Sequence, residues 1–212
     1  MRPRGVAEID EGNKNMYLTH KQLLELKYWL SCDRRETETG LRAEYIKAFG
    51  LDKTNLSRHA VLEVGTGPFM GLLAALKCDL KVGVDCLYDA YWKLGIIDDL
   101  PDVRRIAEPF EHWETNDQFD IIVTTNALDH GEMGFYLIVK MWRMLKRGGC
   151  LYIHVHLRPP ELLNLIHDHC LTEAQLDRQL ANTDLVEISR VIYPKDVTGN
   201  FCKTLVGVWL KP

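Results

Sequence analysis

The sequence lacks the segments that mark membrane and secreted proteins. No apolar run approaches the length that a helix needs to cross a bilayer, and no apolar region of a signal peptide follows the basic residues at the start. The six cysteines form no CxxC pair and no close Cys/His set, so their spacing gives no structural zinc site. We interpret them as reduced thiols and expect a cytoplasmic protein.

A large excess of charge of either sign is also missing. Lys and Arg total 26, and Asp and Glu total 30, which gives a formal net charge of -4. This balance provides no basic field for long nucleic acid, so we expect a small-molecule partner and no nucleic acid. A hydrophobic content of 46% over 212 residues is that of a globular chain with one substantial core.

The apolar pattern predicts two leading helices and then an alternating α/β region. Residues 1–15 are polar and are interpreted as a loose leader. Residues 16–57 are interpreted as an N-terminal helical cap, and Thr19 is expected to be the N-cap residue of its first helix. Beyond the cap, runs rich in Val and Ile alternate with helical spans, which is typical of parallel strands in a sheet covered on both faces. We predict a Rossmann-like, doubly wound α/β core over residues 58–212, in one domain with the cap.

The end of the chain departs from this alternation. The runs "LVEISRVIY" and "TLVGVWL" are strand-like, and only the turn-rich "PKDVTGNFCK" lies between them. Two strands joined without a helix predict an antiparallel hairpin. The sheet is therefore expected to be mostly parallel, with one antiparallel pair at its end.

The stretch "VLEVGTGPFMG" places a carboxylate in a strand-like run and follows it with a glycine-rich turn. Gly65 and Gly67 come directly after the strand, where glycine permits a positive φ and lets a ligand approach the backbone. A buried carboxylate needs a partner, so we expect Glu63 to orient the turn or to face a cationic ligand group; a salt bridge to a nearby base is the alternative. Met70 stands where the dinucleotide pattern requires its third glycine, which argues against a nicotinamide cofactor.

A second acidic residue closes the next predicted strand. Asp85 ends "VGVD", where a carboxylate can accept hydrogen bonds from both hydroxyls of a ribose. With the glycine turn it indicates a site for a ribose-bearing cofactor. An ordinary turn followed by a solvated strand-end acid is the alternative interpretation.

Four segments in this order resemble the motif series of class I S-adenosylmethionine-dependent methyltransferases. They are "VLEVGTGPF", "VGVD", "FDIIVTTNALDH" and "MLKRGGCLYI", and they cover about residues 58–157, close to half of the chain. The resemblance implies a seven-stranded sheet that ends in the antiparallel hairpin. It also implies S-adenosylmethionine as the cofactor and methyl transfer as the activity.

The same resemblance implies roles for individual residues. The methionine and ribose part of the cofactor would be lined by Glu63, Gly65, Thr66 and Gly67. Asp85 would bind the ribose hydroxyls, Cys86 would lie near the adenine, and Asn126 would lie against the cofactor where the fourth strand ends.

Two places depart from the family pattern. In "IAEPFEHW" the usual Gly-Asp pair is absent, so Glu108 or Glu111 takes its place at the adenine amine, and we favour Glu108. Pro68 and Phe69 replace a small residue that often follows the second glycine. After the fourth strand, "NALD" is not the Asn/Asp-Pro-Pro-aromatic sequence of nucleic-acid amino-methylating enzymes, which argues against methylation of bases.

Two histidines are candidates for a general base. Methyl transfer is a direct displacement at a sulfonium, so alignment can supply most of the catalysis and a base is optional. For a hydroxyl acceptor, His130 after the fourth strand or His156 at the ligand end of "CLYIHVH" would take the proton, and a structural role is the alternative for His130. His154 is interpreted as a core residue, and no carboxylate spacing completes a metal-ligand set, so no metal is expected.

From the sequence we therefore expect a methyltransferase that acts on a small-molecule acceptor. A nicotinamide-dependent oxidoreductase on a similar sheet is one alternative, and a protein that binds the cofactor without turnover is another. The acceptor, the methylated atom and the oligomeric state stay open, because fold analogy does not supply them.

Overall fold

The computed structural model describes residues 7–9, 16–31, 35–128, 130, 136–158, 171–194 and 203–212. The sequence after "CLYIHVH" predicts helices near residues 160–182, and of these residues 160–170 lie outside the described part, as does the loop of the C-terminal hairpin. The boundary between cap and core, and the single domain, stay predictions.

The described chain begins with a small hairpin and a capped helix. Strand β1 (Ala7–Ile9), within the segment predicted as a loose leader, pairs antiparallel with β2 (Met16–Leu18). Helix α1 (His20–Leu30) follows, and the Thr19 side chain accepts a hydrogen bond from the backbone N–H of Gln22, whose own side chain accepts the Thr19 N–H. This capping box satisfies two N–H groups that the helix leaves unpaired, as the sequence predicts for Thr19.

A second helix completes the region before the sheet. Helix α2 (Arg35–Ala48) ends just before Gly50, which adopts the left-handed conformation with φ 70°. Glycine has no Cβ to oppose that conformation, so it is the usual residue for ending a helix. The run "TGLRAEYIKAFGL" predicts a helix that ends at Gly50, and the structure agrees.

Seven strands form one sheet. They are β3 (Ala60–Val64), β4 (Leu80–Val84), β5 (Val103–Ile106), β6 (Phe119–Thr125), β7 (Leu145–Leu157), β8 (Val186–Tyr193) and β9 (Lys203–Leu210). Their order is β5-β4-β3-β6-β7-β9-β8. The pairs from β5 to β7 are parallel, and β9 is antiparallel to both β7 and β8. The predicted sheet, mostly parallel with an antiparallel end, is confirmed.

The apolar pattern predicts helices over residues 70–78 and near 88–97, but the helices between the strands are shorter. They are α3 (Tyr88–Lys93), α4 (Leu137–Met144), α5 (Glu173–Leu180) and the single 3-10 turn Gly71–Ala74. The run "FYLIVKMWRMLKRGG" predicts a helix that continues through Gly149, but β7 begins at Leu145, which pairs with Phe119 of β6. No helix in the described part of the chain is long and apolar enough to span a membrane.

Two hydrophobic cores cover the two faces of the sheet. Since successive side chains of a strand point to opposite faces, Leu62 joins the core that includes Ile138 of α4, whereas Val61 joins the other core. Leu26 and Phe49 from the leading region pack in that second core. The leading helices therefore lie on the same face of the sheet as Met70, Leu72 and Leu73, which follow β3.

We expect two glycine-to-alanine substitutions to change stability in opposite directions. A Cβ at Gly207 of β9 would overlap the buried Trp209 ring, so Gly207→Ala should lower the free energy of unfolding by about 1–3 kcal/mol. A Cβ at Gly40, inside α2, meets nothing within 4 Å, and Gly40→Ala should raise it by roughly 0.5–1 kcal/mol. Urea denaturation measures both, and equal midpoints for the two variants would contradict the packing described.

Candidate functional site

The strand order places a topological switch point at the carboxyl ends of β3 and β6, and the region between the loops that follow these two strands is called the crevice below. The chain leaves β3 toward β4 on one side, whereas β6 lies on the other side and continues outward to β7. The residues after Val64 and those after Thr125 therefore face each other across a topological switch point. Open α/β sheets bind their ligands at such a point.

Left-handed backbone is concentrated in the two loops that flank this crevice. The residues with positive φ there are Gly65 (75°), Gly67 (61°), Met70 (59°), Gly71 (48°) and Asn126 (54°). Among the described residues, Met70 and Asn126 are the two with a positive φ that are not glycine, and each lies on one side of the crevice. Such strained positions persist only where the surrounding contacts hold them, and they cluster at functional sites.

Glu63 of β3 holds the segment that follows the glycine-rich turn. Its side chain is fully buried, and its two carboxylate oxygens accept the backbone N–H groups of Leu72 at 3.0 Å and Leu73 at 3.1 Å. A Cβ at Gly71 would overlap this carboxylate, so only glycine fits there. Burial raises the pKa of Glu63 to about 7, against the opposing effect of the two N–H groups and the charge of Arg42. Of the roles expected for this residue, the structure shows the orientation of the turn.

Asp85 ties the same turn to the end of β4. Its Oδ2 accepts the N–H of Gly67 and its Oδ1 accepts the N–H of Leu87, both at 2.9 Å. Each carboxylate oxygen has a second lone pair, so the group retains two acceptor positions for a ligand. Burial raises the pKa of Asp85 to about 6, and the nearby Glu25 carboxylate adds to the shift.

Thr66 faces the protein interior. Its side chain is buried and hydrogen-bonds to the Tyr88 hydroxyl in the first turn of α3. Gly83 of β4 lies beneath this pair, because a Cβ there would overlap the Tyr88 hydroxyl. The structure thus adds Tyr88 and Gly83 to the support of the turn, and no spacing in the sequence distinguishes either residue.

Across the crevice, Asn126 is bound to β7. Its backbone N–H donates to the His154 carbonyl at 2.8 Å, and its Oδ1 lies 3.0 Å from His154 Nδ1. The His154 ring is buried and contacts Tyr45 of α2 at a centroid distance of 4.4 Å. His154 is therefore a hydrogen-bonded core residue that holds the strained Asn126.

The two histidines proposed as bases lie in different surroundings. His130 Nδ1 is 3.7 Å from Glu25 Oε2 on α1. His156 Nδ1 is 3.0 Å from Thr204 Oγ1 on β9. Within the described residues, no group of three or more His, Cys, Asp or Glu side chains could hold a metal ion.

The residues expected near the adenine differ in burial. Cys86 is half-buried, and burial together with the Asp85 charge raises the pKa of its thiol to about 12, so it stays a neutral thiol. Glu108 is exposed after β5, whereas Glu111 is half-buried, and the Glu111 carbonyl accepts a hydrogen bond from Lys140 Nζ at 3.0 Å. The exposure of Glu108 leaves its carboxylate accessible to a ligand.

Helix α1 also contributes to the site. The ring of Trp29 lies against Gly67, and Trp29 Nε1 donates a hydrogen bond to Glu25 Oε1 at 3.0 Å. Sequence reasoning missed both residues, because their spacing is that of any helix packed on a core.

The buried Glu63 should make stability depend on pH. With a pKa near 7 when folded and near 4.5 when unfolded, Glu63 favours the folded state below about pH 4.5, and this contribution is lost as the pH rises through 7. The loss should reach roughly 3 kcal/mol. Glu63→Gln should remove this part of the pH dependence, measured as the urea unfolding free energy between about pH 4 and 8.

Glu114→Gln is the matched control, because that side chain is largely exposed. It should keep the pH dependence of the unmodified protein. Parallel pH profiles for Glu63→Gln and the unmodified protein would contradict the assignment of the proton to Glu63.

No protein-family model and no curated protein matches the sequence. Solved structures match in fold. N-methyltransferase NodS from Bradyrhizobium japonicum WM9, in complex with S-adenosylhomocysteine, has a TM-score of 0.63 and 18% identity over 89% of this chain and 97% of that one. A methyltransferase of Bacillus halodurans C-125, assigned as putative, has a TM-score of 0.63 and 13% identity over 80% and 99% of the two chains.

A third similar structure contains both a cofactor product and a substrate. It is the 1,6-didemethyltoxoflavin-N1-methyltransferase of Burkholderia thailandensis, with bound 1,6-didemethyltoxoflavin and S-adenosylhomocysteine. Its TM-score is 0.63 at 14% identity, over 98% of this chain and 95% of that one. At such identities the likeness shows the fold, and the strand order, the switch point and the C-terminal hairpin agree with it: the chain has the class I methyltransferase fold.

Proposed function

We propose that the protein is an S-adenosylmethionine-dependent methyltransferase that acts on a small molecule. The observation that carries the proposal is the link between Gly67 and Asp85 at the switch point, where a glycine turn and a strand-end carboxylate meet at 2.9 Å. Two proteins of the same fold, NodS and the toxoflavin enzyme, hold S-adenosylhomocysteine. A nucleoside with a charged amino-acid tail fits the chemistry of both groups.

The residues around the crevice fit this cofactor. The two remaining lone pairs of Asp85 would accept the ribose hydroxyls, while Gly65 and Gly67 would let the cofactor lie against their backbone. Glu63 would act through the turn that it orients. The adenine would lie near Cys86 and Glu108. When bound, S-adenosylmethionine supplies an electrophilic methyl group.

The acceptor would lie on the β6 side of the crevice. Asn126 is held there by His154, and His130 follows on the same loop with Glu25 opposite. For a hydroxyl acceptor, His130 or His156 would take the proton, which contributes on the order of 10² to 10⁴ in rate. An amine acceptor that arrives without its proton needs only alignment with the methyl group.

We expect Asp85 to contribute a large part of the affinity for the cofactor. Calorimetry with S-adenosylhomocysteine should show binding to the unmodified protein, and Asp85→Ala should weaken it by about 1–3 kcal/mol, the scale for hydrogen bonds to a charged group. Asp117→Asn is the matched control, since Asp117 pairs with the exposed Arg104 away from the crevice. The affinity of this variant for S-adenosylhomocysteine should equal that of the unmodified protein.

Circular dichroism would show whether Asp85→Ala remains folded, because this carboxylate also holds the turn. A folded Asp85→Ala variant with unchanged affinity would remove Asp85 from the cofactor site. Absence of binding to the unmodified protein at high micromolar cofactor would refute the proposed function.

Turnover separates a transferase from a protein that only binds the cofactor. Incubation with S-adenosylmethionine and a set of small-molecule amines and alcohols should give S-adenosylhomocysteine in many molar equivalents over protein for at least one acceptor. Product that never exceeds one equivalent with any of them would favour the binding protein.

A further inference from the structure

We propose that helix α1 is a gate on the cofactor crevice, with Trp29 as the group that closes it. This inference rests on the proposed function, since the ligand that must pass the gate is the cofactor. It assigns to Trp29 and Glu25 a role that neither the fold nor the glycine turn requires.

Trp29 fills the side of Gly67 that a ligand would use. A Cβ built on Gly67 would lie 3.0 Å from Trp29 Cζ2 and 3.3 Å from Cη2, so the indole ring occupies the space that the missing side chain leaves open. A glycine at a ligand-binding turn is useful because a ligand can contact its backbone there. Gly67 cannot offer that face to a cofactor while the ring stays in place.

Glu25 fixes the Trp29 ring and joins α1 to the far side of the crevice. Its Oε1 accepts the Trp29 Nε1–H at 3.0 Å, and its Oε2 lies 3.7 Å from His130 Nδ1. The ring also makes an edge-to-face contact with Phe69 at a centroid distance of 5.9 Å. One carboxylate therefore holds the closing group and reaches the loop after β6.

The backbone of Gly65 is covered as well, by the loop after β6. A Cβ on Gly65 would overlap the Ala127 side chain, so the loop after β3 touches the loop after β6. A nucleoside that contacts Gly65 and Gly67 must separate these loops and displace Trp29. The described state is therefore the closed one.

Helix α1 is suited to move because it is lightly attached. Of its side chains Leu26 is buried and Leu23 and Trp29 are partly buried, whereas the central strands β3 and β6 are buried along most of their length. An element with few buried apolar groups opens at a lower free energy than the rest of the fold. Rotation of α1 would release Trp29 and Glu25 together and leave the sheet unchanged.

The test measures S-adenosylhomocysteine binding to variants of the gate. Trp29→Ala should raise the association rate and lower the dissociation constant by about tenfold, because a closed state reduces apparent affinity by its share of the population. Glu25→Gln, which keeps the ring but removes the charge facing His130, should have a smaller effect in the same direction. Trp92→Ala, at an exposed tryptophan on α3, is the control and should change neither quantity.

Tryptophan fluorescence gives a second measurement if Trp29→Ala is unstable. Cofactor binding should change the emission of the unmodified protein, and Trp29→Phe should abolish that change while calorimetry still shows binding. Equal association rates and affinities for the unmodified protein, Trp29→Ala and Glu25→Gln would refute the gate and leave the proposed function intact. Absence of binding to all variants would refute the proposed function and the gate with it.

Discussion

The crevice depends on one buried carboxylate under the glycine turn. Glu63 accepts the N–H groups of Leu72 and Leu73, which draws the chain back over the end of β3, and Gly71 leaves room for the carboxylate. Burying this group is costly, as its pKa near 7 shows, and the two N–H groups with Arg42 offset only part of that cost. A core chosen for stability alone would place an apolar side chain here, so the carboxylate serves the shape of the turn.

Around this carboxylate, each wall of the crevice is held by its own set of contacts. The turn is bound to β4 by Asp85 and to α3 through Thr66 and Tyr88, while the opposite loop is bound to β7 through Asn126. None of these contacts joins one wall to the other. The walls meet where Gly65 lies against Ala127 and where Glu25 approaches His130. Because each wall has its own supporting contacts, a ligand that separates the two loops would order little backbone, which lowers the cost of binding.

The sequence predicts those features that arise from neighbouring residues. The capping box at Thr19 and the left-handed Gly50 depend on local geometry, and the alternation of strands and helices reflects burial in the sheet. The helix predicted to continue past Met144 is wrong, because the pairing of Leu145 with Phe119 in the sheet overrides the helical pattern of the sequence. Trp29 was missed for a similar reason: its contact with Gly67 joins distant segments, and periodicity carries no information on which residue a helix faces.

On the proposed gate, helix α1 couples the two sides of the crevice. Trp29 closes the cofactor side of the crevice and Glu25 faces His130 on the acceptor side, and both belong to the same helix. Movement of α1 to admit the cofactor would move both side chains, so it would also change the contact between Glu25 and His130. The proposed gate therefore links entry of the cofactor to the contacts of the loop after β6, through one helix.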